Sequence, residues 1–155
     1  MEIPLIGVIG KSMKEDERRV PIHPEHLDRI PPNILQKLIF EKGYGLPFNI
    51  SDEELSQRTG GVSSRTSLLS DIGIVIITKP VVSDLKTLKK GGVLWGYTHC
   101  VQQEEMTQVA IDRKLTLIAF EDMFVWHPNG EMGRHTFYKN NEIAGYSAVI
   151  HALQL

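Results

Sequence analysis

Cysteine is almost missing from this 155-residue chain. Cys100 stands alone, so neither an internal disulfide nor a multi-thiolate metal site can form, and a reducing, cytoplasmic setting is expected. An excess of one charge is missing too. Seventeen lysines and arginines face nineteen aspartates and glutamates, for a formal net charge of -2, with no long block of either sign. Nucleic acid and anionic membrane are therefore not expected as partners. No apolar run approaches the roughly 18 residues that would span a bilayer. The opening MEIPLIGVIGK is too short for a secretory signal and lacks its basic leading region. G-x-S-x-G, the P-loop, H-E-x-x-H and G-x-G-x-x-G are all absent. Gly43-Tyr44-Gly45 approaches the last of these but has no third glycine and no helix directly after it, so it predicts a turn. The histidines His23, His26, His127, His135 and His151 lack metal-ligand spacing.

What is present is ordinary globular material, 41% hydrophobic and 23% charged, in amounts that support one domain with a real core. Short β-rich runs alternate with helical patterns. Leu5–Ile9, Lys37–Glu41, Ile72–Ile77, Val93–Gly96 and Leu115–Phe120 read as five strands. The third is continuously apolar, as a strand covered on both faces should be. Pro24 to Ile30 begins like a short helix and is stopped by Pro31-Pro32. Ser51-Asp52-Glu53-Glu54 fits a capping box opening a helix to about Arg58, closed by Gly60-Gly61. Further helices are predicted over Ser83–Lys90 and Glu104–Arg113. From Asn141, Ile143, Tyr146, Ile150 and Leu153 recur at helical spacing. The fold class implied is α/β, a doubly wound and mostly parallel sheet, Rossmann-like but without the dinucleotide fingerprint. The final helical pattern, IAGYSAVIHALQL, has no stop signal; the expectation is that it leads into a further part of the protein.

In such sheets ligands lie beyond the carboxyl ends of the strands, and three residues follow strands there. Arg19 sits in the run ERRVPIHPEH after the first strand, Lys79 after Ile72–Ile77, and His99 after Val93–Gly96. An arginine can hold a carboxylate with two parallel hydrogen bonds, a lysine can polarise a carbonyl, and a histidine can pass a proton near neutral pH. Together they describe a site for a 2-oxo acid. Each alone has a plainer reading: a surface ion pair for Arg19, an exposed turn for Lys79-Pro80, a core histidine for His99. Glu17 is expected to orient Arg19, with Pro21 and Pro24 stiffening the loop and Arg18, His23 and His26 as solvated neighbours. Glu121 follows a strand and by itself reads as a surface carboxylate. Asn140, Asn141 and Glu142 open the last helix and by themselves read as its cap.

The run EDERRVPIHPEHL, with its Glu17-x-Arg19-Val20 core, resembles the N-terminal signature of the alanine dehydrogenase, transhydrogenase and saccharopine dehydrogenase superfamily. KGYGLPFNISDEEL, IVIITKP, YTHCVQQ, LTLIAFE and NNEIAGYSAVIHA follow in that superfamily's order and spacing, over nearly the whole chain. THCVQQ, AIDRKLTLIAFE and FYKNNEIAGY are most similar to its carboxyethylornithine synthase branch. The resemblance implies a two-domain NAD- or NADP-dependent oxidoreductase, with residues 1–139 as the substrate domain. Residues 140–155 would begin a helix leading to a separate NAD(P)-binding domain. It implies that Arg19 and Lys79 hold the oxo acid and that His99 is the acid–base; it also offers Glu121 as a contact for the amine, and Asn140, Asn141 and Glu142 as residues facing the nicotinamide, beside their plainer readings. It also implies reductive condensation of pyruvate with an amino-acid amine, or alanine dehydrogenation with ammonia, in a homo-oligomer or a pairing with a Rossmann domain. Alanine dehydrogenases commonly carry Lys-Glu-Pro where this chain has Lys79-Pro80, a departure that weakens the alanine dehydrogenase reading more than the condensation.

Overall fold

Val8 and Ile9 are neighbours in sequence and both fully buried, yet they belong to different cores. Successive side chains of a strand point to opposite faces, so this strand must be covered on both sides. In the computed structural model, which describes residues 3–154, the strand is β1 (Ile6–Ile9). It lies inside a six-stranded sheet with β2 (Leu38–Glu41), β3 (Gly61–Ser63), β4 (Ile74–Ile77), β5 (Val93–Gly96) and β6 (Thr116–Ala119). The order is β3-β2-β1-β4-β5-β6 and every pairing is parallel. Ile6 is in register with Leu38 on one side and with Ile74 on the other. The strand order reverses between β1 and β4, so the crevice of this sheet opens at their carboxyl ends.

The helices are α1 (Pro32–Leu35), α2 (Asp52–Arg58), α3 (Arg65–Asp71), α4 (Val82–Thr87) and α5 (Glu104–Asp112). One face of the sheet packs Ile9, Val75, Ile77 and Leu94 against Leu68 and Leu69 of α3, Leu85 of α4 and Met106 of α5. The other packs Val8, Leu38 and Phe40 against Leu27 and Leu55. Ser51 caps α2 by accepting from the Glu54 amide, the local signal read in the sequence. Gly96 ends β5 because nothing larger fits: a Cβ there would lie 2.0 Å from the Ile77 carbonyl oxygen.

Among the strands and α-helices described so far, three escape the sequence reading: α1, which begins at Pro32 inside the Pro31-Pro32 pair read as a stop, β3 and α3. β3 has only three residues and begins at Gly61, whose φ of 131° is glycine's, so it reads as a helix stop. α3 has Ser64 as an N-cap accepting from the Ser67 amide, but only seven residues, too few to show a period. The sheet has six strands rather than five.

The chain divides into two compact units, 1–119 and 120–155. The second holds an antiparallel pair, β7 (Phe124–Trp126) and β8 (Met132–His135), and α6 (Tyr138–Leu153), which starts three residues before the predicted Asn141. Within this unit the Phe120 and Phe137 rings meet at a tilt of 48° with centres 5.0 Å apart, and Phe124 meets His135 edge-on at 5.0 Å. His135 accepts the Phe137 amide at Nδ1 and so donates from Nε2 to the Glu121 carbonyl at 3.1 Å. Leu155, predicted to share the terminal helical pattern, lies outside the described residues, as does the start of the predicted 1–139 domain, Met1 and Glu2. Among the described residues no helix is long and apolar enough to cross a membrane, and no group of three His, Cys, Asp or Glu could hold a metal ion.

Candidate functional site

Glu17 lies at the centre of the site. Its Oε1 accepts from the Arg19 amide at 3.0 Å and from Arg19 Nε at 2.8 Å, while Oε2 accepts from Arg19 Nη2 at 2.6 Å. The same Oε2 lies 3.8 Å from Lys79 Nζ. One carboxylate thus binds the guanidinium by its Nε–Nη2 edge and attracts the lysine from the next strand. The carboxylate is only 6% exposed, whereas Arg19 is 41% exposed: the acid is the fixed partner and the base reaches outward. The Arg19 hydrogen bond outweighs burial and, with Lys79 adding a little, lowers the Glu17 pKa from 4.5 to about 2. The same pair raises that of Arg19.

Tyr97 links Arg19 to His99. The Arg19 guanidinium lies 5.3 Å from the Tyr97 ring centre, a cation–π distance. The Tyr97 and His99 rings stack at 6.0 Å and 17°. Backbone bonds join the same loops: the Tyr97 amide donates to the Thr78 carbonyl at 2.9 Å, and Thr78 Oγ1 donates to the Arg19 carbonyl at 3.2 Å. His99 holds a left-handed backbone, φ 47° and ψ 39°, which costs a non-glycine residue about 1–2 kcal/mol. Lys79 and His99 line one cavity of about 460 Å³ together with Lys14, Pro80, Ser83, Tyr97 and Gln103.

The structure therefore brings Arg19, Lys79 and His99 to one end of the sheet, beside the crevice between β1 and β4. The loop after β1 begins at Gly10, where a Cβ would lie 2.7 Å from the Tyr44 ring. The amides of Gly10 and Lys11 donate to Glu41 Oε2 at 2.9 and 3.1 Å. In a dinucleotide-binding sheet the amides of this turn would hold the pyrophosphate at a helix N-terminus. Here a carboxylate takes them and no helix follows directly, so this turn does not fit a dinucleotide.

Glu121, Asn140, Asn141 and Glu142 belong to the 120–155 unit. Glu121 is the middle residue of the short 3-10 turn Phe120–Asp122. Asn141 is exposed, and Glu142 pairs with Lys139 at 2.8 Å. His23 caps the 3-10 helix Pro24–Arg29 by accepting the Glu25 amide and meets Phe48 edge-on at 4.5 Å. Arg18 is exposed and lines a second cavity of about 460 Å³, which also borders Glu17. Sequence reasoning passes over Lys14, Ser83, Tyr97 and Gln103. Tyr97 alone carried a signal, an aromatic ring two residues before the candidate histidine.

The family model described as alanine dehydrogenase/PNT, N-terminal domain, matches residues 8–131. An alanine dehydrogenase of Methanococcus maripaludis is 31% identical over 121 residues, 76% of this chain and 31% of the relative. An N(5)-(carboxyethyl)ornithine synthase of Lactococcus lactis subsp. lactis is 27% identical over 157 residues, 96% of this chain and 49% of the relative. The chain thus spans about a third to a half of these relatives. The crystal structure of a transhydrogenase from Sinorhizobium meliloti shares the fold with a TM-score of 0.63 at 18% identity, over 77% of this chain and 35% of that one.

Proposed function

The chain belongs to the family of alanine dehydrogenase/PNT N-terminal domains, and from that membership we propose that it is the substrate-side domain of a nicotinamide-dependent oxidoreductase acting on a 2-oxo acid. The observation that carries this reading is Glu17 Oε2, shared between Arg19 Nη2 and Lys79 Nζ. It keeps two cations together beside a cavity bordered by a histidine.

Arg19 binds the substrate carboxylate. The Nη1–Nη2 edge of a guanidinium has the same forked geometry as the edge that Glu17 engages, and it suits a planar carboxylate. Lys79 holds the 2-oxo oxygen and stabilises the charge that develops on it. His99, at the cavity edge, protonates the carbinolamine oxygen so that it leaves as water. Glu121 is proposed to meet the amine, and Asn141 and Glu142 the nicotinamide side. The bound cofactor, NADPH or NADH, supplies hydride. Because the turn after β1 does not fit a dinucleotide, the cofactor is assigned to a separate domain, with residues 1–139 as substrate domain and 140–155 as the start of the connection. The partners required are the 2-oxo acid, the amine and that domain, in a homo-oligomer or a pairing.

Our finer reading is reductive condensation of pyruvate with the amine of an amino acid such as ornithine. Its support is the 96% of this chain that aligns with the carboxyethylornithine synthase, together with Lys79-Pro80. Alanine dehydrogenation is the second reading, favoured by the 31% identity to the Methanococcus enzyme. Turnover of pyruvate with ornithine against pyruvate with ammonia, in a protein that joins this domain to a cofactor-binding domain, separates the two: ornithine should be the better amine. Calorimetry of this chain with NADPH should show no tight binding; tight binding would contradict the division of labour between domains.

A further inference from the structure

Arg65 opens α3, and it does not line the cavity that Lys79 and His99 border. Its side chain is only 22% exposed. A guanidinium so shielded is costly unless its donors are met, and here three acceptors from three elements meet them. Nη2 donates to Asp84 Oδ1 at 2.7 Å, and Nη1 to the Lys11 carbonyl at 2.7 Å and to Glu41 Oε1 at 3.2 Å.

The acceptors also hold the site's loops. Asp84, 3% exposed, uses its other oxygen to accept the Val81 amide at 3.0 Å, two residues beyond Lys79. Glu41 uses its other oxygen to accept the Gly10 and Lys11 amides. The next residue, buried Ser12, donates its hydroxyl to the Lys79 carbonyl at 2.6 Å. Two routes therefore reach the Lys79 backbone, one through Asp84 and Val81, the other through the Lys11–Ser12 loop. Both end on Arg65.

We infer that Arg65 is a positioning residue for the 2-oxo acid site: by clamping Asp84 to the Lys11–Ser12 loop it fixes the backbone from which the Lys79 ammonium reaches Glu17 and the cavity. This rests on the reading of Lys79 as an oxo-acid anchor. At 3.8 Å from Glu17, the ammonium has little distance to spare, and a shift of about 1 Å in an anchoring group can cost about 10²-fold.

The test is the dissociation constant of pyruvate for this chain, read by NMR titration, across a double-mutant cycle. Lys79→Met and Arg65→Gln should each weaken pyruvate binding, Arg65→Gln by about tenfold. In the Lys79→Met background Arg65→Gln should add less than about twofold. Ser12→Ala, a milder change, should weaken binding in the same direction, and it decides the matter if Arg65→Gln does not fold. Leu55→Ala, in the core on the opposite face of the sheet, controls for general loss of stability. It should lower the melting temperature without moving the dissociation constant. Weakening by Lys79→Met but not by Arg65→Gln, or not by Ser12→Ala, overturns the inference and leaves the anchor standing. So does additivity in the double mutant, or equal weakening by Leu55→Ala. No weakening by Lys79→Met overturns the anchor itself, and the inference with it.

Discussion

Leu55, Leu68 and Leu94, in the unit of residues 1–119, are fully shielded from water, whereas Ile143, Tyr146, Val149, Ile150 and Leu153 on α6 are 58–82% exposed. Both sets are apolar side chains. In the first unit they meet a parallel sheet, and buried apolar area becomes stability at about 25 cal/mol per Å². In the second, α6 has no buried residue at all. Periodicity shows which face of a helix is apolar, but not whether that face is covered. The polar residues differ in the same way. Glu17, Glu41, Asp84 and Arg65 are held in cross-element networks at the sheet's end, while Glu142 of α6 pairs only with its helical neighbour Lys139 among the interactions described.

This contrast can be broken first at the site. If His99 transfers the proton, His99→Gln in a protein that also holds the cofactor should lower turnover by about 10²–10⁴-fold; unchanged turnover with a flat pH profile removes His99 from the mechanism. In the core, Leu68→Ala should cost about 2–5 kcal/mol in chemical denaturation. Arg19→Lys keeps the charge but loses the fork, and should weaken oxo-acid binding by about 1–3 kcal/mol; an unchanged pyruvate affinity would count against the assignment. Glu17 sharpens the picture through pH. Its folded pKa of about 2 lies below the ordinary 4.5. Its stabilising contribution is therefore fully present above pH 4.5 and is lost as pH falls through about 2. In Glu17→Gln the pH dependence of the melting temperature between those values should flatten. Smallest of all, Ile150→Ala on α6 should change the stability of this chain by less than about 0.5 kcal/mol; a loss as large as that of Leu68→Ala would mean that the α6 face is covered.

The parallel sheet was legible because β1, β4 and β5 are apolar runs bounded by glycine, proline and charge, and because local caps such as Ser51 act where they stand. Convergence of Arg19, Lys79 and His99 was legible too, since each follows a strand and parallel strands end on one edge. The short elements α1, β3 and α3 were not, being too brief to show a period. Arg65 left no signal at all: its partners Lys11, Glu41 and Asp84 are 54, 24 and 19 residues away, and only the fold brings them together. Tyr97 sat inside the YTHCVQQ run, but its ring between Arg19 and His99 shows only in the fold.

The most direct measurement is a titration of the isotopically labelled chain with pyruvate, following side-chain signals. The Arg19 Nε–H, Lys79 Nζ and His99 imidazole resonances should shift together and fit one dissociation constant. Shifts that instead gather around Lys11, Arg18 and Lys42 in the second cavity, with those three resonances unmoved, would contradict the account.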